Sequence, residues 1–278
     1  VVFAANPSAF STSETNHGVE AAARKRRFLL NIVSLDESDM DSVKARVRMG
    51  LSIRPAGVIV YEYDRAGIAA LEYIPKDMPM VVVGGSFGDG EYQVINAERD
   101  GGRWMTMHLL DLGHRTVFHV GRPEGPTDNT RTNGWRDALK ERGVTAPDPI
   151  IVPDDDLEES VKAGRTLGRR GDVTAIFAGN DETAIAVIRG LREVGRRVPA
   201  DVSVVGFDDR NFGAMWNPAL TSYTQNFLDM GERSFRMLFE QIQAKRAGDD
   251  APPSQVEVVQ GKPCLRASER AYGDGEIA

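Results

Sequence analysis

Cysteine is almost absent from this 278-residue sequence, which contains only Cys264. A single cysteine excludes an internal disulfide and the common zinc sites that are built from several cysteines. No apolar run approaches the roughly 18 residues that a membrane-spanning helix requires, so we expect no membrane partner. Basic residues are outnumbered, with 34 Lys and Arg against 41 Asp and Glu and a net charge of -7. The chain therefore lacks the positive charge that is typical of nucleic-acid-binding domains.

Side chains suited to catalysis or metal binding lack partners at a useful spacing. His108, His114 and His119 have no carboxylate or cysteine in a pattern typical of metal ligands. No Ser/His/Asp or Cys/His arrangement for covalent catalysis is visible. We therefore expect a protein that is not an enzyme and that holds no metal and no cofactor.

The sequence does contain a regular alternation of strand-like and helical segments. Strand-like apolar runs lie at residues 1–5, 28–35, 57–61, 80–83, 117–120, 149–152, 175–178 and 202–207. Between most of them, apolar residues recur three or four positions apart, as in amphipathic helices. Repeated strand–helix units predict parallel sheets with helices on both faces, and the chain length favours two half-domains. A long amphipathic helix over residues 227–244 and strand-like runs at 256–259 and 264–268 close the chain.

One predicted core strand ends in two carboxylates. Residues 202–207 are apolar and lead directly into Asp208 and Asp209. Ligands of parallel α/β sheets bind beside the carboxyl ends of the strands, which makes this position a candidate binding site. Adjacent residues of an extended segment point to opposite sides, so only one aspartate is expected to face a ligand. A purely structural role, in which Asp208 caps a helix or pairs with Arg210, is the alternative at this point.

Two further polar side chains have the chemistry to share a ligand with such a carboxylate. A carboxylate accepts hydrogen bonds from two neighbouring hydroxyls, and the guanidinium of Arg131 offers a planar pair of donors for the opposite edge of the same diol. Asn180 follows another predicted strand and offers both a donor and an acceptor. Such a set is suited to a polyhydroxylated ligand such as a sugar.

Several short motifs follow one another along the chain in a specific order. They are LGHR at 112–115, RTNGW at 131–135, AGND at 178–181, VPADVSVVGFDD at 198–209, PALTS at 218–222, and Gln225. This ordered set resembles the effector-sensing core of the lactose-repressor/galactose-repressor family of bacterial transcriptional regulators. The resemblance covers essentially the whole chain.

The resemblance implies a type I periplasmic-binding-protein-like fold, in which two doubly wound parallel α/β lobes are joined by three crossings of the chain. We expect the crossings near residues 113–116, 225–227 and 255–259. The N-terminal lobe would contain residues 1–114 and 227–256, and the C-terminal lobe residues 115–226 and 257–278. The chain begins without Met inside a predicted strand, so a helix-turn-helix DNA-binding domain is expected upstream.

The same resemblance implies an effector-binding site. Arg131, Asn180 and Asp208 match the family's ligand-holding positions in the C-terminal lobe, and Gln225 lies at a crossing near the pocket. Asp208 is the aspartate expected to face the ligand, and Asp209 is expected to serve the local turn.

The N-terminal lobe departs from the family pattern. Ser11 and Thr12 stand where an aromatic pair is usual, and Phe10, one position earlier, is expected to supply the stacking face. Tyr61, at the end of the third predicted strand, is a further pocket candidate. Ala97 stands where an aspartate is usual. These changes suggest a wider or more polar wall and leave the identity of the ligand open.

Three further residues are assigned roles in effector binding or in dimer formation. Leu157 aligns near the rim of the pocket as a secondary effector contact. Met215 and Trp216 follow the ligand loop, and the resemblance places them on a dimer surface, where Met and aromatic side chains are enriched. A tryptophan folded onto its own lobe is the alternative.

The function implied by the resemblance is that of a cytoplasmic sensor domain. A small polar effector, expected to be a carbohydrate, would bind between the lobes and stabilise one lobe orientation. In this way it would control the binding of a homodimer to operator DNA. Two other functions stay open. One is a transport-type sugar-binding protein, which shares the fold, and the other is an enzyme that uses Asp208 and Asp209 with a metal ion. The motif set favours the regulator.

Overall fold

The computed structural model describes residues 1–36, 38–85, 92–123, 127–153 and 156–273. The chain divides into two compact units. Unit 1 contains Val1–Asn96, Gly125–Thr127 and Asn226–Gln260, and unit 2 contains Ala97–Glu124, Asp128–Gln225 and Gly261–Ala278. Each unit has its own parallel sheet, so the predicted α/β class with two parallel sheets is confirmed.

Strands and helices alternate along most of the described chain. The elements are β1 (Val2–Ala4), α1 (Phe10–Lys25), β2 (Ile32–Ser34), α2 (Met40–Ser52), β3 (Val58–Glu62), α3 (Arg65–Leu71), β4 (Met80–Gly84), β5 (Gln93–Asn96), α4 (Glu98–Asp111), β6 (Phe118–Gly121), α5 (Arg131–Glu141), β7 (Ile150–Ile151), α6 (Leu157–Gly168), β8 (Ala175–Ala178), α7 (Asp181–Glu193), β9 (Ser203–Val205), α8 (Asn211–Met215), β10 (Ser222–Thr224), α9 (Phe227–Ala247), β11 (Val256–Val259) and β12 (Lys262–Cys264). Among the described residues, no helix has both the length and the hydropathy needed to cross a membrane.

Unit 1 has a six-stranded parallel sheet in the order β11-β5-β4-β3-β1-β2. Successive side chains of β3 enter two different apolar cores because strand residues alternate between the faces of a sheet. Ile59 and Tyr61 pack among residues of α1 and α9, whereas Val58 and Val60 pack among residues of α2 and α3. The sheet is therefore covered on both faces, which explains its continuous apolar strands.

Unit 2 has a four-stranded parallel sheet in the order β7-β6-β8-β9 and a separate antiparallel pair, β10-β12. Its strands alternate in the same way. Ile176 and Val204 pack among residues of α6 and α7, whereas Phe177 and Val205 pack among residues of α4 and α5. All four strands of the main sheet run parallel, so their carboxyl ends meet at one edge.

Helix α4 groups with unit 2, although the sequence prediction assigned it to the N-terminal lobe. The boundary between the units falls after Asn96, before α4, whereas the first crossing was expected near residues 113–116. Two glycines let α4 pack closely against α5. A Cβ at Gly102 would lie 2.3 Å from the carbonyl oxygen of Arg131, and one at Gly134 would lie 2.0 Å from that of Arg99. The other boundaries, after Gln225 and Gln260, lie close to the expected crossings at 225–227 and 255–259.

Several strands differ from the sequence prediction in length or position. β9 ends at Val205 rather than at residue 207, and β12 covers Lys262–Cys264 rather than residues 264–268. β5 was not predicted because polar residues occupy both of its ends. Gln93 is nevertheless buried there, and its side-chain Nε2 donates to the carbonyl oxygen of Gly84 at 2.7 Å.

Candidate functional site

The carboxyl edge of the unit 2 sheet brings together three of the residues singled out by sequence. Arg131 begins α5 after the loop that follows β6, Asn180 follows β8, and Asp208 follows β9. The start of α5 is fixed by Thr130, whose hydroxyl accepts a hydrogen bond from the backbone N–H of Asn133 at 3.1 Å. This cap orients the first turn of α5, from which the Arg131 side chain extends.

Arg131 is the centre of the polar network at this edge. Its Nη1 donates to the carbonyl oxygen of Gly179 at 2.5 Å and to Oδ2 of Asp208 at 3.4 Å. Its Nη2 lies 3.0 Å from Oδ1 of Asp208 and 3.1 Å from Oε1 of Glu98. Burial alone would lower the pKa of Arg131, but the carboxylates of Asp208 and Glu98 outweigh it and raise that pKa. The guanidinium is thus held as a cation between two anions.

Two stacked aromatic rings pack against the guanidinium of Arg131. The Cζ atom of Arg131 lies 4.2 Å from the centre of the Phe207 ring, which is a cation–π distance. Phe207 in turn stacks on Tyr223, with ring centres 5.1 Å apart. These rings restrict the side-chain position of Arg131, so the network has a defined geometry.

Asp208 and Asp209 have different partners, as predicted, but the expected reason was wrong. Both residues have positive φ, 90° and 50°, so their backbone lies outside the extended region on which strand alternation depends. Asp209 accepts a hydrogen bond from the hydroxyl of Thr224 at 2.8 Å and pairs with Arg266 at 2.6 Å. Burial would raise the pKa of Asp209, but the bonds from Thr224 and Arg266 lower it overall. Only Asp208 joins the Arg131 network.

Gln225 is a second partner of the Asp208 carboxylate. Its Nε2 donates to Oδ1 of Asp208 at 2.7 Å. Its Oε1 is buried and has no hydrogen-bond partner among the described residues, and the same holds for Nε of Arg131. An unpaired acceptor and an unpaired donor therefore belong to the same network. Buried polar atoms without a partner are rare in folded proteins, so each of them calls for a partner.

Asn180 has a structural task in addition to its predicted one. Its Oδ1 accepts a hydrogen bond from the backbone N–H of Thr183 at 2.8 Å and caps the start of α7. This bond uses one of the two lone pairs of Oδ1, so Asn180 can offer a ligand the Nδ2 donors and one further acceptor position.

Asp181, directly after Asn180, is a fully buried carboxyl group. It accepts hydrogen bonds from the hydroxyl of Ser222 and from the backbone N–H of Arg210, both at 2.6 Å. Burial raises its pKa to about 7. Arg210 pairs with Glu182 at 2.7 Å. The structural alternative in which Asp208 pairs with Arg210 is therefore wrong.

Four of the predicted effector-binding residues lie in unit 1. Phe10 begins α1 and packs edge-to-face on Phe227, with ring centres 5.8 Å apart. Ser11 is half-buried, and Thr12 is buried. Tyr61 is also buried, and its hydroxyl donates to Oδ1 of Asn16 at 2.8 Å. Tyr61 thus has a structural role in the core of unit 1, whereas Phe10 and Ser11 keep partial exposure.

The remaining candidates are exposed on unit 2. Leu157 begins α6 and is about half exposed. Met215 is 80% exposed at the end of α8, and Trp216, next to it, is 38% exposed. Most of the Trp216 surface is covered by its own chain, so the alternative in which Trp216 folds onto its own unit stays open. The roles of Leu157 in binding and of Met215 and Trp216 in association stay predictions.

Glu98 is the site residue that sequence reasoning missed. It pairs with Arg131 from the first turn of α4, and its side chain is 29% exposed. A signal was present, because Ala97 stands where the family has an aspartate and an acidic residue follows immediately. The assignment of α4 to the other lobe concealed that signal.

This arrangement has the groups to bind a polar ligand. Asp208 contacts Arg131 and Gln225, whereas Asp209 contacts Thr224 and Arg266. Among the described residues, no group of three or more His, Cys, Asp or Glu side chains is placed to hold a metal ion. The available groups at the site are hydrogen-bond donors and acceptors.

Known proteins are similar to this chain in both sequence and fold. The profile of the periplasmic binding protein-like domain matches residues 106–268. The chain is 30% identical over 253 residues to the HTH-type transcriptional repressor PurR of Yersinia enterocolitica, which covers 88% of this chain and 72% of that repressor.

Solved structures of transcriptional regulators share the fold of this chain. The transcriptional regulator CelR in complex with cellobiose superposes with a TM-score of 0.81 at 25% identity, covering 96% of this chain and 83% of that one. A dimeric Lac repressor with a C-terminal deletion superposes with a TM-score of 0.81 at 23% identity, covering 98% of this chain and 99% of that one. The family predicted from the motifs is confirmed. The chain belongs to the lactose-repressor family of transcriptional regulators, which includes PurR, and forms the periplasmic-binding-protein-like, effector-binding core of such a regulator.

Proposed function

We propose that this domain binds a carbohydrate effector at the carboxyl edge of the unit 2 sheet, with Arg131, Asn180, Asp208 and Gln225 as its polar contacts. The observation that carries the proposal is the pair of unpartnered atoms in this network, Oε1 of Gln225 and Nε of Arg131. A hydroxyl group is both a donor and an acceptor, so neighbouring hydroxyls of a sugar can satisfy both atoms. The cellobiose bound to CelR supports this ligand class.

The ligand contacts in unit 1 are part of the same proposal. Phe10 has an aromatic face with partial exposure, which suits packing on the apolar side of a sugar ring. Ser11 and Thr12 carry hydroxyls on the first turn of α1. Tyr61 is the weakest of these assignments because Asn16 already accepts from its hydroxyl.

The regulatory output would be control of operator binding. The domain spans 72% of the length of the helix-turn-helix repressor PurR, and we propose that a corresponding DNA-binding segment completes this protein. An effector that alters operator affinity by a given factor must have its own affinity altered by operator by the same factor. The regulator would act as a cytoplasmic homodimer on paired half-sites.

The ligand proposal is tested by a thermal-shift screen of mono- and oligosaccharides, followed by calorimetric titration of the best ligand. Asp208→Ala and Gln225→Leu should each weaken binding by about 10- to 100-fold, because each strands a polar group of the ligand at a cost of about 1–3 kcal/mol. Asp172→Asn, on the exposed Asp172–Arg170 pair, serves as the control and should bind normally. Native affinity in Asp208→Ala would remove this residue from the site.

A transport-type sugar-binding protein is the alternative, because it shares the fold and the ligand class. Operator binding separates the two. The 278-residue chain, with 41 acidic against 34 basic residues, should not bind duplex DNA at physiological salt, since DNA affinity depends on cationic contacts to phosphates. Fluorescence anisotropy of the full-length gene product on operator DNA should show binding that the sugar modulates. Sugar binding without any DNA binding would favour the transport protein.

A further inference from the structure

We infer that Glu98 is a specificity-determining residue that restricts the site to uncharged ligands and excludes acidic ones, such as sugar acids. The inference rests on the proposed carbohydrate function and narrows its ligand class. It starts from the contact between Glu98 and Arg131, the residue that would otherwise attract an anion most strongly.

The first argument is the number of free donors on Arg131. A guanidinium has five N–H groups. Those of Nη1 donate to the carbonyl oxygen of Gly179 and to Oδ2 of Asp208, and Nη2 donates to Oε1 of Glu98 and lies 3.0 Å from Oδ1 of Asp208. Among the described residues, Nε has no hydrogen-bond partner. A ligand carboxylate needs two parallel N–H groups for bidentate binding, so it would have to share Nη1 or Nη2 with a carboxylate of the protein.

The second argument is the charge at this edge of the sheet. Nη2 of Arg131 lies 3.0 Å from a carboxylate oxygen of Asp208 and 3.1 Å from one of Glu98, so this cation faces two anions. An incoming anion therefore meets no excess of positive charge at Arg131, and it would lie near two like charges. A neutral hydroxyl has no such penalty.

Glu98, and not Asp208, is the residue that can set this balance independently. Asp208 also accepts from Gln225 and belongs to the proposed contact set, so its loss changes the pocket itself. Among the described residues, Glu98 contacts the site through Arg131, and it is partly exposed. Glu98→Gln keeps the length of the side chain and an oxygen that can accept from Nη2. The substitution removes one negative charge and leaves Arg131 with a single carboxylate, that of Asp208.

The experiment compares matched neutral and acidic sugars on three proteins. The probes are glucose with glucuronate, galactose with galacturonate, and cellobiose with cellobionate, each titrated by calorimetry into wild type, Glu98→Gln and Glu141→Gln. Glu141 forms a similar α4–α5 ion pair with Arg103, but it lies at the exposed far end of α5. We expect wild type to prefer the neutral member, and Glu98→Gln to shift the acid-to-neutral affinity ratio by about tenfold, as one charge removed at a few ångströms implies. Glu141→Gln should leave the ratio unchanged.

If the sugar that binds wild type lies outside the three pairs, it is compared with its own uronic acid by the same criterion. Each other outcome decides against one of the two proposals. Binding of a neutral sugar with the same ratio in wild type and Glu98→Gln would overturn the role of Glu98 and leave the carbohydrate function standing. A wild-type preference for the acidic member would do the same. If wild type and Glu98→Gln are both folded by circular dichroism and bind none of these sugars or those of the wider screen, the carbohydrate proposal fails and the inference fails with it.

Discussion

Replacing Arg131 by Met removes the cation on which two carboxylates of unit 2 depend. The side chains of Arg131 and Asp208 are each 11% exposed, with 3.0 Å between Nη2 and Oδ1. Glu98 is the second anion, 3.1 Å from Nη2. Met is an unbranched side chain of similar reach that can still pack on Phe207, so the substitution tests the charge and not a cavity.

The cost of this substitution follows from the burial of the pair. Breaking a buried ion pair by removing one partner costs about 3–5 kcal/mol, because the other charge is left uncompensated. Glu98 can regain part of its hydration, so we expect the lower end, about 3 kcal/mol. For a unit of about 150 residues, a loss of that size lowers Tm by roughly 6–12 °C.

Urea denaturation at pH 7.5, with Arg103→Met as the matched control, measures this cost. Arg103 also joins α4 to α5, through Glu141 at 2.6 Å, but both side chains are nearly half exposed. An exposed pair contributes less than about 1 kcal/mol, so the control should lose little stability. Equal losses in the two variants, or a loss under 1 kcal/mol for Arg131→Met, would refute the buried-charge argument.

Two further predictions concern Asp181 and the exposed surface at Met215. Burial raises the pKa of Asp181 to about 7, so its contribution to stability is fully present below about pH 4 and is lost as pH rises through 7. Asp181→Asn should flatten this fall in urea titrations between pH 4 and 8, and an unchanged slope would contradict the assignment. Met215→Asp combined with Trp216→Ala should produce a monomer in sedimentation, whereas an intact dimer would exclude this surface as the interface.

The meeting of Arg131, Asn180 and Asp208 could be predicted because it depends only on topology. Each residue follows a predicted strand, and parallel strands place their carboxyl ends at one edge. Which side chains pair there could not be predicted, because the partners are far apart in sequence and their geometry depends on packing. Asp208 and Asp209 show this difference. Their divergence was expected from strand alternation, but both residues have positive φ and lie outside the extended region.

Glu98 was missed for a related reason. Amphipathic spacing predicts helices between the strands, but it carries no information on which sheet a helix such as α4 covers. The position of α4 depends on its contact with α5, and that contact requires glycine on both helices. A pattern read along one helix does not show its partner. The burial of polar residues is also hard to predict from sequence, as Asp181 and Gln93 illustrate.

The glycine contact between α4 and α5 makes ligand preference sensitive to positions that touch no ligand. A methyl group at residue 102 or 134 would force the helices apart, and Glu98 would move away from Arg131 together with the first turn of α4. Backbone displacement would thus change the ligand preference of this domain while every pocket side chain is retained. A biosensor library that varies only the pocket residues would never sample this route, whereas substitutions at Gly102 and Gly134 would reach it directly.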